Sequence, residues 1–288
     1  MNYSALIQNR RSVREFTEKE VSAAEREIIR FYYQNFLSPL IPHLSTALRI
    51  YGPEAREALE GAAGYNRFLV GAPQYLVLTS EKGELAALNG GYIMEKLILK
   101  LTEMNFESCW LTFTSSEAVK TALGIETEQE VMAIAAFGHG KRTTRRLRLN
   151  IESMSNITVE AQRRYMEPKR GVSELAYLGS WGNTEGLEEH IGFYEEMLWE
   201  SLYAASLAPS YLNRQAYAFV LHEGKISLVR RPDELTPEHS AQLSLGAVLQ
   251  HFGSVAEGWT GKLNWQLGEA AAGLELPEGH SVVATAVV

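Results

Sequence analysis

The sequence predicts an α+β protein, an α/β sandwich built as a tandem duplication of two helix-and-sheet halves. Three observations carry that expectation. Two long apolar helices match each other at a fixed offset, each is flanked by β-rich stretches, and the region between the halves is polar with frequent turn signals.

Taken in chain order, a short helical stretch leads into N-R-R-S-V-R-E-F at residues 9–16. As an extended segment, it puts Arg10, Ser12 and Arg14 on one face and Arg11, Val13 and Glu15 on the other. Two guanidinium groups around a hydroxyl suit a phosphate or another dianion. A solvated charged turn fits the same residues. Next come a strand at 74–80 (Q-Y-L-V-L-T-S) and a helix within 89–106, where Ile93, Leu97, Leu101 and Met104 recur at helical spacing beside Tyr92, Met94 and Ile98. A strand follows at 131–138 (V-M-A-I-A-A-F-G). The stretch from about 141 to 190 reads as a linker, basic at first and then carrying M-E-P-K-R-G and G-S-W-G-N-T-E-G.

In the second half, a helix from Gly192 to Leu207 ends at Ala208-Pro209. The polar loop Ser210–Gln215 then presents a hydroxyl and an amide from a fixed platform, or simply serves helix-stop chemistry. Residues 216–231 read as a hairpin turning at Glu223-Gly224. A helix within 243–259 carries Leu245, Val248, Leu249, Phe252, Ala256 and Trp259, and residues 281–288 read as a strand. The repeat lies in these helices: Gly91 precedes Trp110 by nineteen residues, as Gly246 precedes Trp265. At the same offset Ile93 matches Val248, Leu97 matches Phe252 and Met104 matches Trp259. The domain expectation is therefore a half at 1–150, a linker at 151–190 and a half at 191–288.

Composition narrows the function. With 45% hydrophobic and 22% charged residues, the 288-residue chain is an ordinary globular protein. Its net charge of −8 argues against nucleic acid. No apolar run is long enough for a membrane span and no secretory signal is visible, so the expected location is cytoplasmic. The single cysteine, Cys109, rules out an intrachain disulfide and a Cys-based zinc site. Asp233 is the lone aspartate, which removes aspartate dyads and EF-hand loops. G-H-G-K-R-T at 138–143 lacks a phosphate loop's first glycine and its Ser/Thr; G-x-S-x-G, H-E-x-x-H and G-x-G-x-x-G do not occur. His251 is expected at a helix surface or core edge, and no metal site is expected.

Together these pieces resemble the nitroreductase family of flavoproteins. The resemblance rests on Arg10-Arg11-Ser12-Val13-Arg14, on Ala208-Pro209-Ser210-Tyr211-Leu212-Asn213-Arg214-Gln215, on the helix from Gly91 into E-S-C-W-L-T-F, and on A-A-F-G-H-G-K-R-T-T-R-R. Ordinary members are intertwined homodimers, with FMN between the Arg-Arg-Ser segment of one subunit and the Ala-Pro-Ser loop of the other. Here one chain divides those motifs between its halves, as in the single-chain, pseudo-dimeric branch. The resemblance implies about one FMN per chain, NAD(P)H as reductant, ping-pong transfer to small-molecule substrates such as nitroaromatics or quinones, and a monomer or weak oligomer. It also implies that Arg10, Arg11, Ser12 and Arg14 hold the phosphate with Arg142, Arg145 or Arg146. By the same resemblance the backbone of Ser108, Cys109, Trp110 and Leu111 approaches flavin N5, Asn66 contacts the ring, and Pro209, Ser210 and Asn213 meet it from the other half with Gln215 steadying the loop. Tyr211, Tyr217 and Trp110 are expected to floor the open face, and Cys109 to be a small buried hydrophobe. Two departures stand out: Ala216-Tyr217 where Pro-Trp is common, and Glu107 where glycine is common. A flavin carrier without turnover, or a module that has lost FMN, is the alternative.

Overall fold

The computed structural model describes residues 2–64, 69–141, 146–153, 156–162, 168–187, 196–268 and 273–288; for 146–153 and 156–162 the backbone alone is described. Helix α1 (Tyr3–Asn9) is capped by the Asn2 side chain. Helix α2 (Ala23–Asn35) starts from a Ser22/Glu25 capping box. The first sheet contains β1 (Thr46–Tyr51), β2 (Gln74–Ser80), β3 (Glu107–Leu111) and β4 (Glu130–Gly138) in the order β1-β2-β4-β3, with every neighbour antiparallel. Helix α3 (Ala55–Leu59) lies between β1 and β2, α4 (Ala86–Glu103) follows β2, and α5 (Ser116–Leu123) follows β3.

Strands β2 and β4 read as unbroken apolar runs because both faces are covered. On one face Tyr75, Val77, Ile134 and Ala136 pack with Leu59 and Val119. On the other, Leu76, Leu78, Ala133, Ala135 and Phe137 pack under Ile93, Leu97 and Ile98 of α4.

A hairpin, β5 (Arg146–Ser153) with β6 (Asn156–Gln162), leads to α6 (Val172–Leu175) and β7 (Ala176–Leu178). Helix α7 (Glu196–Ser206), the hairpin β8 (Tyr217–His222) and β9 (Lys225–Arg230), α8 (Glu238–Thr260), β10 (Gln266–Leu267) and β11 (Ser281–Val287) complete the chain. The β8–β9 turn has φ of 48° at Glu223 and 69° at Gly224, as a two-residue hairpin requires. The second sheet runs β10-β11-β9-β8-β7. Without β7 it reads β8-β9-β11-β10, the first sheet's order with the same antiparallel neighbours.

The duplication is also visible where α4 and α8 cross. A Cβ on Gly91 would collide with the Leu243 carbonyl oxygen, and one on Gly246 with the Leu88 carbonyl oxygen. Leu243 stands 155 residues after Leu88, as Gly246 does after Gly91. The contact is therefore reciprocal, as at a two-fold axis. Both helices need glycine here because their backbones touch.

One expectation changes. The stretch 151–190, read as a linker, contains the end of β5, all of β6, α6 and β7, which pairs parallel to β8 and buries Ala176. Three residues are too few to show strand periodicity. The expected helix start at Gly192 lies outside the described residues.

Candidate functional site

Residues 12–17 are extended, as their alternation suggested, and lie along the edge of the first sheet. Ser12 bridges in parallel to Ser108, and Val13 N donates to the Ser108 carbonyl at 2.9 Å. Thr17 N donates to His139 O, and Lys141 N to Glu15 O, each at 2.8 Å. Val13 turns toward the core while Ser12 and Arg14 stay exposed. Glu107 has a structural use at this edge: its carboxylate accepts from Gly140 N at 2.8 Å and closes the turn after β4.

Arg10, expected on one face with Ser12 and Arg14, instead turns inward where a buried carboxylate draws it, its side chain only 8% exposed, with Nε 3.3 Å from Glu95 Oε1. Glu95, on α4, is fully buried and gathers partners from three other elements. Trp110 Nε1, on β3, donates to Oε2 at 2.9 Å, and His251 Nε2, on α8, lies 2.9 Å from Oε1. The other His251 nitrogen, Nδ1, is 3.0 Å from the Ala204 carbonyl on α7. Burial pushes the Glu95 carboxyl up, but Arg10, His251 and Trp110 outweigh it and hold it below its ordinary value. His251, expected at a surface or core edge, is instead completely buried at the junction of the halves. A long apolar helix conceals one polar residue whose partner lies 156 positions away.

The loop after α7 is tightly held. Gln215 is buried, donating to Ser206 O and accepting from Arg170 N, both at 2.9 Å. Its own N–H donates to Ser210 Oγ at 3.1 Å, and Asn213 Nδ2 donates to Pro168 O at 2.8 Å. Leu212, Asn213 and Gln215 all have positive φ (47°, 57° and 47°). Such conformations cost of order 1 kcal/mol each outside glycine and gather at functional loops.

Arg214 forks onto Asp233 at 2.9 and 3.0 Å. Arg214 and then Thr236 hold the Asp233 carboxyl at about 2. A depressed carboxylate stabilises the fold above its unfolded pKa and ceases to do so as pH falls through the folded value. The melting-temperature advantage of wild type over Arg214→Ala is thus expected to be full above about pH 4 and to vanish toward about pH 2.

The loop has a counterpart in the first half. Tyr211 N donates to Ser244 Oγ on α8 at 3.1 Å, and Ile41 N donates to Asn89 Oδ1 on α4 at 3.0 Å. Asn89 and Ser244 are again 155 residues apart. On this alignment Pro39 matches Pro209, but Leu40 replaces Ser210 and His43 replaces Asn213. The polar set occurs once.

A cleft of about 1070 Å³ opens beside the N-terminal segment, with Arg14, Lys141, Gly71, Pro73 and Gln74 on its walls. Among the described residues the buried Gln74 Oε1 has no hydrogen-bond partner. Asn66, Arg142 and Arg145 lie outside the described residues, adjoining the cleft residue Leu69 and Lys141 in sequence; of Arg146 only the backbone, at the start of β5, is described. Pro209, Ser210, Asn213 and Gln215 are not on the cleft wall; Ser210 and Gln215 border a separate cavity of about 20 Å³. The Arg10–Glu95–His251–Ala204 contacts run from the N-terminal segment through α4 and α8 to α7. Tyr217, expected to floor an open face, is fully buried with its hydroxyl donating to Ala205 O at 2.9 Å. Trp110 and Tyr211 are partly exposed. Burial pushes the Cys109 thiol up against the pull of Arg14 and then Arg10, so it stays a neutral, buried group. Among the described residues no cluster could hold a metal, and no helix is long and apolar enough to cross a membrane.

A family model described as "Putative TM nitroreductase" matches residues 2–256. The chain belongs to this nitroreductase family. Among solved structures, a "putative nitroreductase" from Thermotoga maritima superposes with a TM-score of 0.59 at 17% identity, covering 100% of this chain and 94% of that one. That likeness shows the fold, a nitroreductase fold carried by a single chain. A nitroreductase family protein from Clostridium difficile matches at a TM-score of 0.42 and 16% identity over 50% of this chain and 87% of its own. Comparison with curated proteins finds no match. In this nitroreductase-family chain, sequence reasoning missed Glu95, His251 and Gln74. Glu95 carried one usable signal, a lone acid inside the apolar face I-M-E-K-L-I-L.

Proposed function

We propose that the chain is an FMN-dependent oxidoreductase of the nitroreductase type, passing electrons from NAD(P)H to a small acceptor such as a nitroaromatic or quinone. The observation that carries this reading is the cleft beside Arg14: four cations, Arg14, Arg26, Arg56 and Lys141, stand among four glutamates on its wall, and Gln74 adds a buried oxygen without a partner among the described residues. A cleft of this volume suits a large cofactor, and a buried polar atom without a partner suits a ligand that supplies one. The residues present therefore fit a phosphorylated flavin.

When bound, the flavin supplies the hydride and electron chemistry. The chain's own groups bind and orient. Arg14 would hold the phosphate from the cleft wall, with Ser12 exposed on the same segment, while Arg10 is turned inward onto Glu95; the backbone of edge strand β3 from Ser108 runs beside this segment. The polar loop Pro209–Gln215 occurs once per chain, which favours one flavin site per chain. Neutral Cys109 takes no part.

The test is an absorption spectrum of the purified protein and the ratio of flavin to chain after heat release. About one FMN per chain, with steady NADH or NADPH oxidation when an acceptor is added, is the expected result. A protein that takes up no added FMN overturns the reading. Arg14→Ala is expected to weaken FMN binding by about 10- to 150-fold, the loss of one charge-assisted contact of about 1.5–3 kcal/mol, measurable by flavin fluorescence titration.

A further inference from the structure

We propose that the outer edge of β1 is a docking site for a partner protein, which adds an extended segment of aliphatic–aromatic–aliphatic sequence as a fifth strand parallel to β1. This docking involves no flavin.

The two large sheets have four outer edges, and three of them are closed to further pairing. The edge at β3 is occupied by the N-terminal segment, where Ser12 bridges to Ser108 and Val13 N donates to the Ser108 carbonyl. Strand β7 has three residues and β10 two, and edge strands this short offer little backbone to pair with. Strand β1 has six residues, and among the described residues no strand lies on its outer side. It also lacks the usual protections of an exposed edge. T-A-L-R-I-Y contains no proline, and its register with β2 runs through all six pairs without a bulge. Its one charged side chain, Arg49, turns across the sheet to donate to Thr79 Oγ1 at 3.1 Å.

The second half shows what such an edge accepts. Strand β8 stands in the second sheet where β1 stands in the first, and β7 pairs with it in parallel. Ala176, Tyr177 and Leu178 lie opposite Phe219, Val220 and Leu221, and Gly179 N donates to the Leu221 carbonyl at 2.6 Å. The first five residues of β8 are buried, whereas all six of β1 are half-buried. Strand β7 alternates between two faces: Ala176 and Leu178 pack with residues of α7 and α8, and Tyr177 packs on the other side with Val220 and Val229. Strand β1 offers the same two faces, with Leu48 and Ile50 toward the α4 core and Tyr51 toward the α3 core. A segment with aliphatic residues on either side of an aromatic one continues both layers, while its backbone pairs with the open edge. The parallel direction brings the C-terminal end of that segment out beside Gly52 and Pro53, on the wall of the large cleft.

The experiment adds a synthetic peptide of residues 169–180, K-R-G-V-S-E-L-A-Y-L-G-S, to the full chain and reads amide hydrogen exchange at β1 and β8. Without peptide, the outward amides of β1 are expected to exchange faster than those of β8. At ten times the peptide's dissociation constant, exchange of those β1 amides should slow by about tenfold, with β8 unchanged. A control peptide carries Tyr177→Pro and leaves the protein itself untouched. In β7 the N–H groups of Ala176 and Leu178 point away from β8, to the Val172 and Asn183 carbonyls, so Tyr177 is the residue whose N–H faces the partner strand. The control should therefore protect β1 far less. Unchanged exchange at β1 with about 1 mM peptide overturns the proposal, and so does equal protection by both peptides. Slow exchange at β1 in the chain alone overturns it too, and sedimentation velocity then shows whether a second copy fills the edge.

Discussion

Gly91→Ala is expected to lower the melting temperature by about 6–12 °C, and Gly246→Ala by a similar amount. The added methyl would meet a backbone carbonyl, Leu243 in one case and Leu88 in the other, with Leu243 Cα and Tyr92 N only 2.8 and 2.6 Å from the two added carbons. A side chain could swing away from such a collision, whereas helix backbone moves only by parting α4 from α8. Overpacking of this kind costs about 3 kcal/mol or somewhat more, and for a chain of this size each kcal/mol lowers the melting point by about 2–4 °C. Gly258→Ala is the control. It lies in the same helix with nothing within 4 Å of an added Cβ, so it should leave stability unchanged or raise it by up to about 1 kcal/mol. The two crossing substitutions should also be non-additive, since parting the helices once admits both methyl groups. Equal melting temperatures for all three single variants would mean that the helices do not touch as described.

Glu95→Leu is expected to destabilise the protein by about 3–5 kcal/mol, observable as a lower denaturant midpoint. The carboxylate is the common partner of Arg10, Trp110 and His251, and its removal leaves a buried guanidinium, an indole N–H and an imidazole nitrogen without it. Breaking a buried ion pair from one side costs far more than replacing the whole set with apolar groups. The triple change Arg10→Met, Glu95→Leu and His251→Leu should therefore be more stable than Glu95→Leu alone. If the triple variant is the weaker of the two, packing and not charge is what Glu95 contributes.

Much of the fold was legible because its signals are local or regularly spaced. The helical stripe of Ile93, Leu97 and Leu101, the hairpin turn at Glu223-Gly224 and the nineteen-residue spacing to each tryptophan all lie within single windows of sequence. Strand β1 and the short β7 were not, since neither alternates clearly: every residue of β1 is half-buried, and β7 has three residues. For the candidate site, the extended run Ser12–Thr17 and the clasp made by Gln215 follow from residue type and neighbours. The pairing of Glu95 with His251 does not, because each sits in an apolar helix and only the folding of one half onto the other brings them together.

The first half's loop, with Leu40 where its counterpart has Ser210, carries a wider consequence. A homodimer encodes both copies of a loop in one stretch of gene, so every change appears at both sites and neither can specialise. With both halves on one chain that constraint is lifted. Leu40 has no hydroxyl to hold a loop as Ser210 does, and instead packs onto the apolar core of the opposite half. One copy of the loop has become structural filler, which leaves the other to carry the strained, polar geometry alone.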